Sequence, residues 1–133
     1  MSGSSIYARR TDCRRRDTPI ALVVIEADQL TPDERTAFSL LSSRVATARL
    51  SNPKQGELAI LCQKQGCAFD QVAVIATTQE GFPLLLEAGV ALTLRDSCYE
   101  NEAAADMVFQ PRSSGGLAAA IEYACRLVAQ DAS

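Results

Sequence analysis

The sequence predicts a three-layer, Rossmann-like α/β domain built on a parallel sheet. Three observations carry this reading. Apolar runs of strand length recur at residues 20–25, 71–76 and 90–94, too continuous to alternate and so suited to strands buried on both faces. Segments with helix-end signals and helical spacing lie between them. Strand and helix therefore alternate along the chain, which calls for βα units, a parallel sheet and right-handed crossovers.

In chain order, the first strand is IALVVI, residues 20–25, rich in β-branched side chains. Thr31-Pro32-Asp33-Glu34 follows it. Thr31 can cap a helix, Pro32 suits its first position and Glu34 completes a capping box. The helix is expected to run to about Ser43, with Ala37, Phe38 and Leu41 facing inward. Residues 45–50, VATARL, predict a short strand. Asn52 and Pro53 are expected to open a second helix, with Gly56 in its first turn, Leu58, Leu61 and Cys62 on one face and Gly66 at its end. After the 71–76 strand come a short helix over 82–88 that stops at Gly89, a strand over 90–94, a helical turn or two over 99–105 and a short strand over 106–109. Leu117, Ile121, Ala124 and Val128 mark one stripe of a terminal helix.

The chain has 133 residues, 47% hydrophobic and 22% charged, which fits one domain, taken as residues 19–133. Residues 1–18 read as a flexible basic arm: residues 1–17 hold five arginines against Asp12 and Asp17, a balance of +3. The remainder carries eight basic and fourteen acidic residues, a balance of −6, and so has no nucleic-acid footprint. No apolar run approaches the ~20 residues that span a bilayer, and no secretory leader is evident, so a cytoplasmic location is expected. The five cysteines (Cys13, Cys62, Cys67, Cys98 and Cys125) are odd in number and widely spaced, and read as free thiols. The chain has no histidine, which removes the usual general base and triads.

In a parallel α/β sheet, chemistry sits at the carboxyl ends of the strands. The residues there are Glu26-Ala27-Asp28-Gln29, Ala76 to Gly81, and Arg95-Asp96-Ser97. Together with Lys54 and the FPLLLEAG, AAD and SGG segments (82–89, 104–106 and 114–116), they resemble the haloacid dehalogenase (HAD) superfamily. The likeness is to its capless branch, which hydrolyses 3-deoxy-manno-octulosonate phosphate and whose relatives include the C-terminal domains of some acylneuraminate cytidylyltransferases. It covers most of residues 20–129 and is more specific from Lys54 onward. It implies a HAD-like parallel sheet, here truncated and capless: only twenty-five residues separate Asp28 from Lys54, too few for the family's flap, helix and strand.

The departures from the family pattern fall on its chemistry. The resemblance places a nucleophilic aspartate at Glu26, a general acid/base at Asp28, and metal-binding carboxylates at Thr77, Thr78 and Gly81, with Glu80 where asparagine is usual. A glutamate at the nucleophile position moves the attacking oxygen by about a bond length, and in-line transfer tolerates an error of ~1 Å poorly. Without metal-binding carboxylates, magnesium has no octahedral oxygen set. The reading is therefore an inactive, pseudophosphatase HAD-like domain with a binding, assembly or regulatory role, with no catalytic residues and no cofactor expected. Three alternatives stand beside it. One is a weak magnesium-dependent sugar-phosphate phosphatase, with Glu26, Asp28 and Glu80 as weak metal candidates. The second is a receiver-like domain. The third is a small-anion sensor using Lys54, Asn52 and, if residues 45–50 keep the family's phosphate-ligand strand, Thr47. A homo-oligomer, a dimer or higher even number, is expected, with residues 31–50 at or beside the interface; a protein partner is the other candidate and a membrane is not.

Overall fold

A computed structural model describes residues 7–8, by backbone alone, and residues 18–131. The elements, in order, are β1 (Tyr7–Ala8), β2 (Leu22–Glu26), α1 (Pro32–Ser42), β3 (Ala46–Leu50), α2 (Glu57–Gln65), β4 (Val72–Ala76), α3 (Phe82–Glu87), β5 (Val90–Leu94), α4 (Tyr99–Ala104), β6 (Met107–Phe109) and α5 (Gly116–Asp131). They form one sheet in the order β1-β6-β5-β4-β2-β3. Strands β2 to β6 are parallel, as expected from the buried apolar runs. Within the arm, Tyr7–Ala8 pair antiparallel with β6, a strand the sequence reading did not anticipate. The rest of the arm, with its arginines, lies outside the described residues.

Every residue of β2, β4 and β5 is buried, because both faces of the sheet are covered. On one face α1 and α5 press Ala37, Leu41, Leu117, Ile121, Ala124 and Val128 against Val23, Ile25 and Leu92. On the other, Leu58 and Cys62 of α2 and Leu84 and Leu85 of α3 pack on Leu22, Val24, Val74 and Ala91. Two apolar faces, each sealed by helices, give the three layers.

The capping box expected at Thr31 forms: the Glu34 amide donates to Thr31 Oγ1 at 3.3 Å, and the Thr31 amide donates to Glu34 Oε1 at 2.9 Å. The second helix corrects the sequence reading. It begins at Glu57, not at Asn52 or Pro53. Asn52 takes a left-handed backbone (φ 53°), which asparagine tolerates, and Gly56 (φ 88°) lies before the helix rather than in its first turn. Lys54 thus sits in the connecting loop, where its amide donates to the Glu57 carboxylate at 2.6 Å.

Candidate functional site

The connection after β2 leads to β3 on one side, and the chain then crosses back to β4 on the other. That reversal places a crevice at the carboxyl ends of β2 and β4, where α/β sheets bind ligands. Glu26 ends β2 and pairs in register with Ala76, the last residue of β4. The family-like positions therefore do meet in space.

What fills the crevice is Glu26 itself. Its residue is 2% exposed. Oε1 accepts from the amides of Thr77 and Thr78, both at 2.9 Å, and Oε2 accepts from Thr78 Oγ1 at 2.8 Å. Thr77 Oγ1 donates to the Glu26 carbonyl at 2.7 Å. Successive loop amides facing one carboxylate form an anion-binding nest, here occupied by the chain's own side chain. Burial pushes the Glu26 carboxyl above its ordinary value and the charge of Glu80 acts the same way, while the Thr78 and Thr77 donors oppose both.

Gly81 completes the arrangement. A Cβ on Gly81 would stand 2.6 Å from the Ala76 Cβ and 2.8 Å from Glu26 Oε1. Any side chain there would collide with the buried glutamate. The space a metal-binding aspartate would need at position 81 is closed by the longer carboxylate at position 26.

Around this centre the structure sorts the remaining candidates. Asp28 is exposed, and its carboxylate accepts a hydrogen bond from Ser51 Oγ. Ser51, just past the end of β3, was not singled out from sequence; its place after a strand next to β2 is the signal that identifies it. Thr47, the sequence candidate on β3, is a correction. It pairs with Val23, three residues before Glu26, and bonds to Ser42 at the far end of the sheet. At ~3.3 Å per residue, Thr47 is about 10 Å from the carboxyl end. Asn52, Thr78 and Glu80 share an open cavity of about 680 Å³ with Phe82, Pro83 and Glu100. Lys54 is not on that cavity's lining, which holds acidic and no basic side chains. Of the three anion-site candidates, Asn52 lines this cavity, and Lys54 and Thr47 do not.

Two further residues tie the site down, neither legible in sequence. Asn101 of α4, fully buried, donates to the Thr78 carbonyl at 2.8 Å. Arg112, after β6, holds Glu34 through Nε to Oε2 at 3.0 Å and Nη2 to Oε1 at 2.8 Å. It also donates to the Gln29 carbonyl in the loop that carries Asp28. Burial pushes the Glu34 carboxyl up, but Arg112 and the Thr31 amide together hold it below its ordinary value.

Magnesium, which the resemblance implies, needs several oxygen ligands with carboxylates among them. These residues do not fit it. Glu26 is engaged by three hydrogen-bond donors, and Gly81 offers no ligand and no room for one. Among the described residues no three His, Cys, Asp or Glu side chains converge as a metal would require.

The sequence matches no protein-family model and no curated protein. Solved structures do match. The 3-deoxy-D-manno-octulosonate 8-phosphate phosphatase from Moraxella catarrhalis, solved with magnesium, phosphate and a KDO molecule, superposes with a TM-score of 0.66 at 13% identity, over 86% of this chain and 91% of that one. The enzyme of the same name from Yersinia pestis gives 0.65 at 15% identity, over 90% and 85%. The cobalt-bound deoxy-D-mannose-octulosonate 8-phosphate phosphatase from Haemophilus influenzae gives 0.59 at 12% identity, over 84% and 88%. At these identities the likeness is one of architecture, and it agrees with the sequence motifs: this chain has the α/β fold of the haloacid dehalogenase-like phosphatases.

Proposed function

We propose that this chain is a HAD-like domain that does not transfer phosphoryl groups and works by binding, in assembly or regulation. One observation carries the reading. The residue at the nucleophile position, Glu26, is a buried structural pin whose carboxylate is engaged by Thr77 and Thr78. A nucleophile must present a free oxygen to the phosphorus in line with the leaving group. A carboxylate bonded on both oxygens by the Thr77–Thr78 loop cannot do so without breaking the contacts that hold that loop. The misfit to magnesium supports the same reading, since phosphoryl transfer to a carboxylate depends on a cation to offset charge repulsion.

The weak-phosphatase alternative has one observation in its favour. Asp28 and Ser51 lie together at the correct end of the sheet, where an acid/base and a phosphate ligand would stand. The receiver-like alternative shares the order of the parallel strands, but β4 leads into Thr77 and Thr78, with no carboxylate to accept a phosphoryl group.

The test is hydrolysis of p-nitrophenyl phosphate and a panel of sugar phosphates with magnesium. No turnover above the uncatalysed rate is expected. Turnover that disappears in an Asp28→Asn variant would establish the phosphatase alternative instead.

A further inference from the structure

The two edges of the sheet differ. At one, β6 is paired with Tyr7–Ala8 of the chain's own arm. At the other, β3 pairs only with β2, and no strand among the described residues pairs with its outer side. The Ala27 amide donates to the Leu50 carbonyl at 3.0 Å, so Leu50 faces β2. By the alternation of a strand, the N–H and C=O groups of Thr47 and Arg49 point outward, away from the sheet. Unpaired edges of this kind are templates for strand addition, and proteins usually cover or charge them.

The groove beside this edge is lined by basic and no acidic side chains. Thr47 and Arg49 share the α1 face of β3, since their register partners Val23 and Ile25 belong to the core beneath α1. There, Arg49 lines a groove of about 470 Å³ with Arg35, Phe38, Gln29 and Leu30. Arg49 is exposed and makes no ion pair among the described residues. Arg35 gives one hydrogen bond, to the Leu30 carbonyl at 3.0 Å, and is otherwise open. On the opposite face, Ala46, Ala48 and Leu50 are half-buried and apolar. The edge thus asks for an extended segment with backbone groups to pair, carboxylates on one face and small apolar side chains on the other.

We infer that the open edge of β3, with Arg35 and Arg49, docks an acidic extended segment of another protein by strand addition. This deepens the binding reading above and rests on it. The chain's own arm does not suit the groove, because it carries five arginines. A second copy, the partner expected from sequence, fits less well. Two-fold antiparallel pairing about Ala48 sets Arg49 opposite Thr47 and diagonal to its own equivalent, ~7–8 Å away on the same face, so like charges gather without a counter-charge. An acidic strand satisfies the same backbone groups and the arginines together.

The probe is a fluorescein-labelled octapeptide alternating valine and glutamate, followed by fluorescence anisotropy on the full chain. Saturable binding is expected that weakens as salt rises. Removing both exposed arginines, in Arg35→Ala/Arg49→Ala, should weaken it by about tenfold. N-methylation of alternate peptide amides should abolish it, independently of any change in the protein. Absence of binding, or equal binding of a valine–lysine peptide or of the N-methylated one, would overturn the inference. So would a two-chain mass by light scattering that a Thr47→Pro substitution reduces to one, since that outcome assigns the edge to a second copy. The phosphatase assay reads the carboxylates of Glu26 and Asp28 and not the outer backbone groups of β3, so a failure here leaves the reading of Glu26 standing.

Discussion

Glu26 Oε1 lies 2.8 Å from the point where a Cβ on Gly81 would stand. The two residues are fifty-five apart in sequence, and each explains the other. A glutamate long enough to reach the Thr77 and Thr78 amides takes the space of a side chain at 81. Gly81→Ala is therefore expected to cost about 1–3 kcal/mol, the usual range for overpacking. Combined with Glu26→Ala, the loss should be less than the sum of the single losses, because the clash with the carboxylate is then gone. Rescue will be partial, since the Ala76 Cβ contact at 2.6 Å remains. Urea denaturation of the four proteins measures the coupling; strict additivity would contradict the paired arrangement.

An aspartate at position 26, as in the family pattern, is expected to destabilise the protein. Glu26→Asp withdraws the carboxylate from the buried Thr77 amide and the part-buried Thr78 amide, and is expected to cost about 1–3 kcal/mol. Glu26→Gln keeps an acceptor for the amides and removes the burial of charge, so its stability near neutral pH should stay within about 1 kcal/mol of the parent. The sign of the pH effect follows from the raised carboxyl. Its favourable contribution is fully present below the ordinary glutamate value and is lost as pH rises through the higher folded value. The glutamine variant lacks that component. Stability–pH curves of the parent and Glu26→Gln that run parallel through the mildly acid range would argue against a raised carboxyl.

Glu34 titrates with the opposite sign. Its carboxyl is held below the ordinary value, so its contribution is present above that value and is lost as pH falls through the lowered folded value. Glu34 is 4% exposed at the side chain and Arg112 30%, so solvent screens the pair only partly. Arg112→Ala should cost about 1–3 kcal/mol near neutral pH, mostly by stranding the buried carboxylate. The deficit should shrink as the pH is lowered to about 3, where the stranded carboxylate is protonated. A deficit that does not change with pH would place the role of Arg112 in packing or in its bond to Gln29.

Magnesium should give no saturable heat in calorimetry and no upward shift in melting temperature at micromolar concentration. A ligand that binds only the folded state must raise its stability, so a clear shift would reveal a metal site that the geometry at Glu26 and Gly81 does not provide.

Much of the architecture was readable in the chain. VAVIA is apolar at every step and VALTL at all but Thr93, a pattern that suits a strand covered on both faces. The Thr31–Glu34 box is a local signal and formed as read. The start of α2 was misread because Asn52-Pro53 resembles a helix entry, while the left-handed turn that delays the helix to Glu57 depends on how the loop leaves β3.

The site divides along the same line. The sequence by itself determined which groups are present: a glutamate at 26, threonines at 77 and 78, glycine at 81, and no histidine anywhere. Those identities are enough to place the departure from the family's sequence pattern. Only the tertiary structure decided what the groups do instead. It turned Glu26 inward onto amides fifty-one and fifty-two residues away, set Ser51 rather than Thr47 at the carboxyl end of β3, and joined Glu34 to Arg112 across seventy-eight residues. The physical reason is that such contacts depend on strand register and crossover direction. Both are set by burying two apolar faces at once, a property of the whole sheet rather than of any segment of it.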